Sequence, residues 1–357
     1  MNPYRDDQKV NRQRTLRPAG QRGFTLIEIM VVVIIIGLLA GSPVPLDFSR
    51  MVEFKNYTGD PGAGTWPLTN SLFFAFVLGL LHVCYTITGF DASGHTSEET
   101  RDAQRSVPKG MITSVFWSGL FGWVLVVAIL LAMPSVDEGA SKGWSVFAYT
   151  LDASGMPGWL KDAIAIGIVL SNYLCALAGM TSLSRMIYAF SRDGGIPGAS
   201  KYLRRVSPKY RTPGTAIFAG AALCFILGWV CGQDANAYII LASGCAVFLY
   251  VSYIMPIGAG ILAEGKSWTK KGPFHLGGAS KLVGVLAVLG GAVLAFVGFQ
   301  PPYQLVGEFL AGAIVLLIVV WFAFERKRFA GPPLTPEAVA ARQAEIAREE
   351  AALGGAG

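Results

Sequence analysis

Between residues 70 and 324 the chain repeatedly returns to long stretches almost free of charge, at about 70 to 90, 111 to 133, 161 to 187, 213 to 232, 237 to 262, 282 to 299 and 304 to 324. Each is close to or above the roughly 20 apolar residues that a helix needs to cross a bilayer. An eighth stretch, TLIEIMVVVIIIGLLA, lies near the amino terminus. With 53% hydrophobic and 15% charged residues and a mean hydropathy of +0.49, 357 residues are too apolar for one soluble domain. The expected fold is all-α and polytopic, with about eight transmembrane helices.

The net charge of +6 does not point to nucleic acid, because the basic residues sit in short segments between apolar runs and are not interleaved with stacking aromatics. Sixteen Lys and Arg fall in alternate connections, beginning with Arg101, Arg105 and Lys109, against four (Arg50, Lys55, Lys142 and Lys161) in the others. That asymmetry marks the cytoplasmic side. It predicts a multi-pass protein of the cytoplasmic membrane, bathed in lipid, with both termini cytoplasmic. The five cysteines all lie inside apolar runs and lack metal-ligand spacing, so they read as small packing residues rather than disulfide or zinc partners. No Ser/His/Asp grouping, phosphate loop or metal cluster is present, and His82, His95 and His275 are scattered. The sequence predicts neither an enzyme nor a cofactor.

One apolar run ends in a way that carries chemistry. In YTITGFDASGHTSEETRDAQRSVPKG, residues 85 to 110, the run stops at Gly89-Phe90-Asp91 and resumes as a polar, helix-compatible segment. Gly89 weakens the helix, while Thr86, Thr88 and Ser93 can satisfy freed backbone groups. Asp91 brings a carboxylate close to membrane depth. Irregular backbone there is tolerated only beside protein or a water-filled cavity, and ionisable groups there are costly. Asp91 and His95 are therefore candidate functional residues. The competing reading is that the membrane ends at Gly89 and Asp91 is an interfacial cap.

The amino terminus has another character. Residues 1–23 form a basic cytoplasmic leader that runs into GFTLIEIMVVVIIIGLLAG. This junction resembles the type IV prepilin signal. The resemblance implies cleavage after Gly23 by a prepilin peptidase, methylation of the new terminus Phe24, and an assembly role for Glu28, a carboxylate inside an apolar helix. It covers residues 24–41 only. Pro43 and Pro45 then stop the helix, and a Gly, Pro and Asn-rich outer loop occupies residues 42–69.

From about Asn56 to about Pro333 the chain resembles the amino acid, polyamine and organocation permeases, especially the branch for amino acids, GABA and choline. Two blocks carry the resemblance, GFDASGHTSEETRDAQRSVPKGM at 89 to 111 and SRMIYAFSRDGGIPGASKYLRRVSPKYRTP at 184 to 213. NYTGDPGAGTW, YVSYIMPIG and GPFHLG add weaker support. The resemblance implies an inverted-repeat secondary transporter whose first and sixth helices unwind at the substrate, with half-helix dipoles aimed at the ligand. Transferred to this chain, the sixth-helix gap falls on Thr88, Gly89, Phe90 and Asp91, and an aromatic contact or gate falls on Tyr85. Asp91 and His95 are candidate proton-coupling groups. Glu98 and Glu99 are gate candidates at the mouth, although a solvated charge cluster is the commoner role for such residues.

The same resemblance matches residues 70–325 to helices six to twelve of a twelve-helix family. A partial permease follows, expected to transport amino acids or related amines with impaired activity because the first five helices are missing. Two other readings stand beside it. One is a pseudopilin-like structural protein. The other is a non-functional join of two unrelated sequences between residues 41 and 56. The tail, 326–357, is expected to hold a short cytosolic helix capped by Thr335 and opened by Pro336.

Overall fold

The fold was analysed in a computed structural model, which describes residues 26–59, 68–207, 209–233, 235–269, 271–301 and 303–329 and isolated positions beyond 336. Gly23, Phe24, Thr335 and Pro336 lie outside the described residues. Helix α1 spans Leu26–Ala40, α2 Leu72–Ile87, α3 Ala92–His95 and α4 Ala103–Ala132. Short helices α5 (Val136–Ser141) and α6 (Val146–Ala153) lead to α7, Gly158–Arg192. Helix α8 (Ser200–Leu203) precedes α9 (Gly214–Gln233), α10 (Ala235–Ala263), α11 (Ser280–Gly298) and α12 (Gln304–Val320). Among the described residues, seven helical segments are long and apolar enough to cross a membrane, and α1 is a shorter apolar helix. The protein is an all-α polytopic membrane protein.

The spans follow the apolar runs, but two helices outgrow them. Helix α4 begins at Ala103, eight residues before its run, and α7 continues to Arg192. In α7 the extension carries helix formers such as Ala189 and Arg192, whereas that of α4 is helical although it includes Pro108, a residue that weakens a helix interior. Much of the apolar surface faces outward, as on α9, where Phe218, Phe225 and Trp229 are 79%, 77% and 64% exposed. Side chains of this kind on a spanning helix suit lipid as their solvent.

Two clusters hold the bundle. Leu78 and Leu81 of α2 pack with Val247 of α10, Leu294 and Val297 of α11, and Val306 of α12. Ile34 and Leu38 of α1 pack with Ala132 of α4, Leu151 of α6 and Ile164 of α7. Helix α1 is thus a packed member of the bundle, with Leu38 fully buried. The Gly155 N–H also donates a 2.7 Å hydrogen bond to the Gly41 carbonyl at its end.

The tightest seam joins α10 and α11. Gly284, Gly291 and Gly298 recur every seven residues on α11, and a Cβ at each would meet Ile261, Ile254 and Val247 of α10 at 2.9, 2.7 and 2.9 Å. Small residues let the backbones approach, which is how membrane helices associate when no hydrophobic drive separates lipid from side chain.

Side-chain contacts also sort the connections onto two ends. Arg50 donates to the Leu130 and Met133 carbonyls at the end of α4, at 3.2 and 2.6 Å. Lys55 and Tyr57 both donate to Asp137 of α5. Residues 41–57 therefore share an end with 130–155. The opposite end gathers Glu98, Glu99, Arg185, Arg192 and Arg328.

Candidate functional site

The break predicted at Gly89 is present. Ser71 caps α2 by accepting from the Phe74 N–H at 3.2 Å. The helix then runs until Thr88, whose backbone is extended at φ −66° and ψ 145°. Gly89 follows at φ +99°, a conformation that side-chain-bearing residues rarely adopt. A Cβ there would meet nothing within 4 Å, so glycine is required by backbone angle and not by crowding. The Thr88 hydroxyl donates to the Cys84 carbonyl at 2.7 Å and the Thr86 hydroxyl to the His82 carbonyl at 3.0 Å. Of the three hydroxyls expected to serve freed backbone groups, that of Thr88 does so, that of Thr86 bonds a carbonyl inside the helix, and Ser93 abuts Gly110 of α4.

Past the break, the Asp91 carbonyl accepts from the Gly94 and His95 N–H groups at 2.7 and 3.2 Å and so opens α3. Its carboxylate is buried, with the residue 9% exposed. It is held by two partners. The Tyr253 hydroxyl of α10 donates to Oδ2 at 3.0 Å, and His95 Nε2 lies 3.2 Å from the same oxygen. The Phe90 ring leans on the Tyr253 ring at 6.1 Å between centroids. A carboxylate away from bulk water needs such partners. Phe90, Asp91 and His95 therefore form one cluster, framed by the backbone of Thr88 and Gly89. Tyr85 contributes its carbonyl, which accepts from the Thr88 N–H at 3.1 Å, while its side chain leaves the residue 49% exposed.

Glu98 and Glu99 follow on a single 3-10 turn, and both reach across to α7. Glu99 forms a two-pronged pair with Arg185, Nε to Oε1 at 3.0 Å and Nη2 to Oε2 at 3.3 Å. Glu98 receives Arg192 Nη1 at 2.8 and 3.0 Å on its two oxygens. These ion pairs tie the segment after the break to the longest helix. A second polar cluster lies on the other side of the break. There the Tyr303 hydroxyl meets His82 Nε2 at 2.8 Å, with the Trp144 ring edge-on to His82. Glu28, the acidic residue of the first turn of α1, is remote in sequence from this region.

Tyr253, Arg185 and Arg192 were not singled out as site residues by sequence. Two of them had a signal, since Tyr253 puts a hydroxyl into an apolar run and Arg185 puts a guanidinium inside another. Which partner each would find depends on packing between elements 86 to 162 residues apart.

Comparison with known proteins agrees with this architecture. The family described as "Amino acid permease" matches residues 22–324, a range that includes α1. The chain is 29% identical over 325 residues to "Amino-acid permease BAT1" of Arabidopsis thaliana, covering 87% of this chain and 61% of that protein. It is 32% identical over 301 residues to the "Amino-acid permease BAT1 homolog" of Oryza sativa subsp. japonica, covering 80% and 56%. The "GABA-specific permease" of Saccharomyces cerevisiae is 32% identical over 202 residues, covering 56% and 35%. The chain thus spans 61% or less of the length of these relatives. With its helical spans and a family match running over most of its length, the chain belongs to the amino acid permease family, which comprises transporters rather than enzymes.

Proposed function

We propose that this chain carries out secondary active transport of amino acids or related amines (GABA, choline or polyamines) across the cytoplasmic membrane by alternating access. The observation that carries the reading is the broken helix at Gly89, with the Asp91 carboxylate buried beside it between Tyr253 and His95. Unwound backbone at membrane depth offers unsatisfied polar groups to a polar ligand, and relatives whose names specify amino acids and GABA support the substrate class. In this reading Thr88, Gly89, Phe90 and Asp91 bind substrate, with Tyr85 at the approach. Asp91 and His95 exchange the coupling proton. The Glu98–Arg192 and Glu99–Arg185 pairs act as a gate that parts when the segment after the break moves. The basic end faces the cytoplasm, and so do both termini.

Uptake of radiolabelled amino acids, GABA, choline and polyamines into a transport-deficient host tests the reading. Saturable uptake of one class is expected, and no uptake of any would overturn it.

A second proposal rests on GFTLIE at residues 23 to 28. A prepilin peptidase is the partner, cutting after Gly23 and leaving Phe24 for methylation, while α1 stays packed against α4 and α7. The intact mass of the protein from cells with and without the peptidase decides it. An unchanged mass would remove the proposal.

A further inference from the structure

At the basic end of the bundle, beyond the break, lies a cavity of about 530 Å³ whose wall includes His95, Glu98, Glu99, Arg185, Phe190 and Arg211. That volume is within the roughly 300 to 1,000 Å³ typical of small-molecule sites. Its charges are unevenly committed. Arg185 and Arg192 are engaged by Glu99 and Glu98, and Arg192 also by Asp193. Arg211 differs, because among the described residues its guanidinium makes no hydrogen bond or ion pair. The two glutamates are 61% and 57% exposed at the side chain. An ionised carboxylate has about four acceptor positions, so each keeps acceptor capacity beyond its arginine. The remaining wall is mixed: Asp193, already paired with Arg192, and Ser97 are polar, while Met186 and Phe190 are apolar and each about half exposed.

We propose that this cavity is a second binding site for a zwitterionic amino acid, separate from the break. Arg211 receives the carboxylate, Glu98 and Glu99 receive the ammonium group, and Met186 and Phe190 cover the carbon skeleton. His95 belongs to both places, since it lines this cavity and also contacts Asp91. His95 is therefore common to the break and the cavity wall. The ligand class rests on the transport reading above, whereas the site itself rests on the unmatched charges of the cavity.

The test uses the full chain in detergent with a cysteine at Ser97 or, should that variant misfold, at Ala189, both on the cavity wall. Maleimide labelling is followed in the presence of L-leucine or GABA, in a D91N background that disables the break site. Protection by either compound is expected, with the half-protecting concentration raised about tenfold or more by Arg211→Gln, the cost of losing a charge-assisted contact, and largely restored by Arg211→Lys. Protection that Arg211→Gln leaves unchanged, or no protection by either compound, would overturn the cavity site. Neither result would touch the transport reading, which uptake by the unmodified chain decides separately.

Discussion

The Tyr253 hydroxyl donates a 3.0 Å hydrogen bond to the Asp91 carboxylate across 162 residues of sequence. This bond ties α10 to the broken helix, and removing it leaves a buried carboxylate one donor short. Tyr253→Phe is expected to lower stability by about 1–3 kcal/mol, measured by thermal or denaturant unfolding in detergent. A double-mutant cycle with Asp91→Asn should show a coupling of about 0.5–3 kcal/mol, and additive effects would deny the contact.

The α10–α11 seam makes a contrast between neighbouring glycines. A Cβ at Gly291 would come within 2.7 Å of Ile254, whereas one at Gly290 would meet nothing within 4 Å. Gly291→Ala should destabilise by about 1–3 kcal/mol through overpacking. Gly290→Ala should be neutral or slightly stabilising, because alanine favours the helix. Equal unfolding temperatures for the two variants would count against the seam.

Much of this architecture is legible in the sequence, and the reason is local. Apolar length specifies the spans, and Gly89 beside Asp91 specifies the break because glycine conformation and carboxylate solvation act at a single place. What escapes is pairing. The reach of Glu99 to Arg185 depends on how α7 lies against the turn after α3, and no periodicity within either segment records that. The packing of α1 against α4 and α7 escapes for the same reason, since its all-round apolarity suits lipid and protein equally. Helices α5 and α6 are too short to announce themselves by hydrophobic pattern.

At the end that gathers residues 41–57, Lys55 and Tyr57 hydrogen-bond Asp137 and hold its carboxyl below the ordinary value of 3.8, while Asp137 raises the Lys55 ammonium above its ordinary 10.5. The carboxylate contribution is fully present above its ordinary value and is lost as pH falls through the lowered one. The ammonium contribution is present below its ordinary value and is lost as pH rises through the raised one. The loop contact should therefore persist from about pH 4 to about pH 10. Acylation of Lys55, followed by mass spectrometry at pH 8, should quicken in Asp137→Asn. An unchanged rate would show that the pair does not form.

The paired charges beyond the break should matter to movement more than to stability. Arg185 and Glu99 are 20% and 57% exposed at their side chains, so the pair should contribute only about 0.2–1 kcal/mol. Arg185→Glu and Glu99→Arg singly should reduce uptake, and the double swap should recover part of it. Failure of the swap to recover any uptake, with all three proteins folded, would remove the gate role.

Transport is proposed to depend on Asp91 at the break, and the most direct measurement compares uptake of labelled amino acids and GABA by the unmodified chain and by Asp91→Asn at equal membrane abundance. Measurable saturable uptake should fall at least about tenfold in the variant, as expected when a charged, buried contact to substrate or proton is lost. Uptake that is the same in both proteins would contradict it.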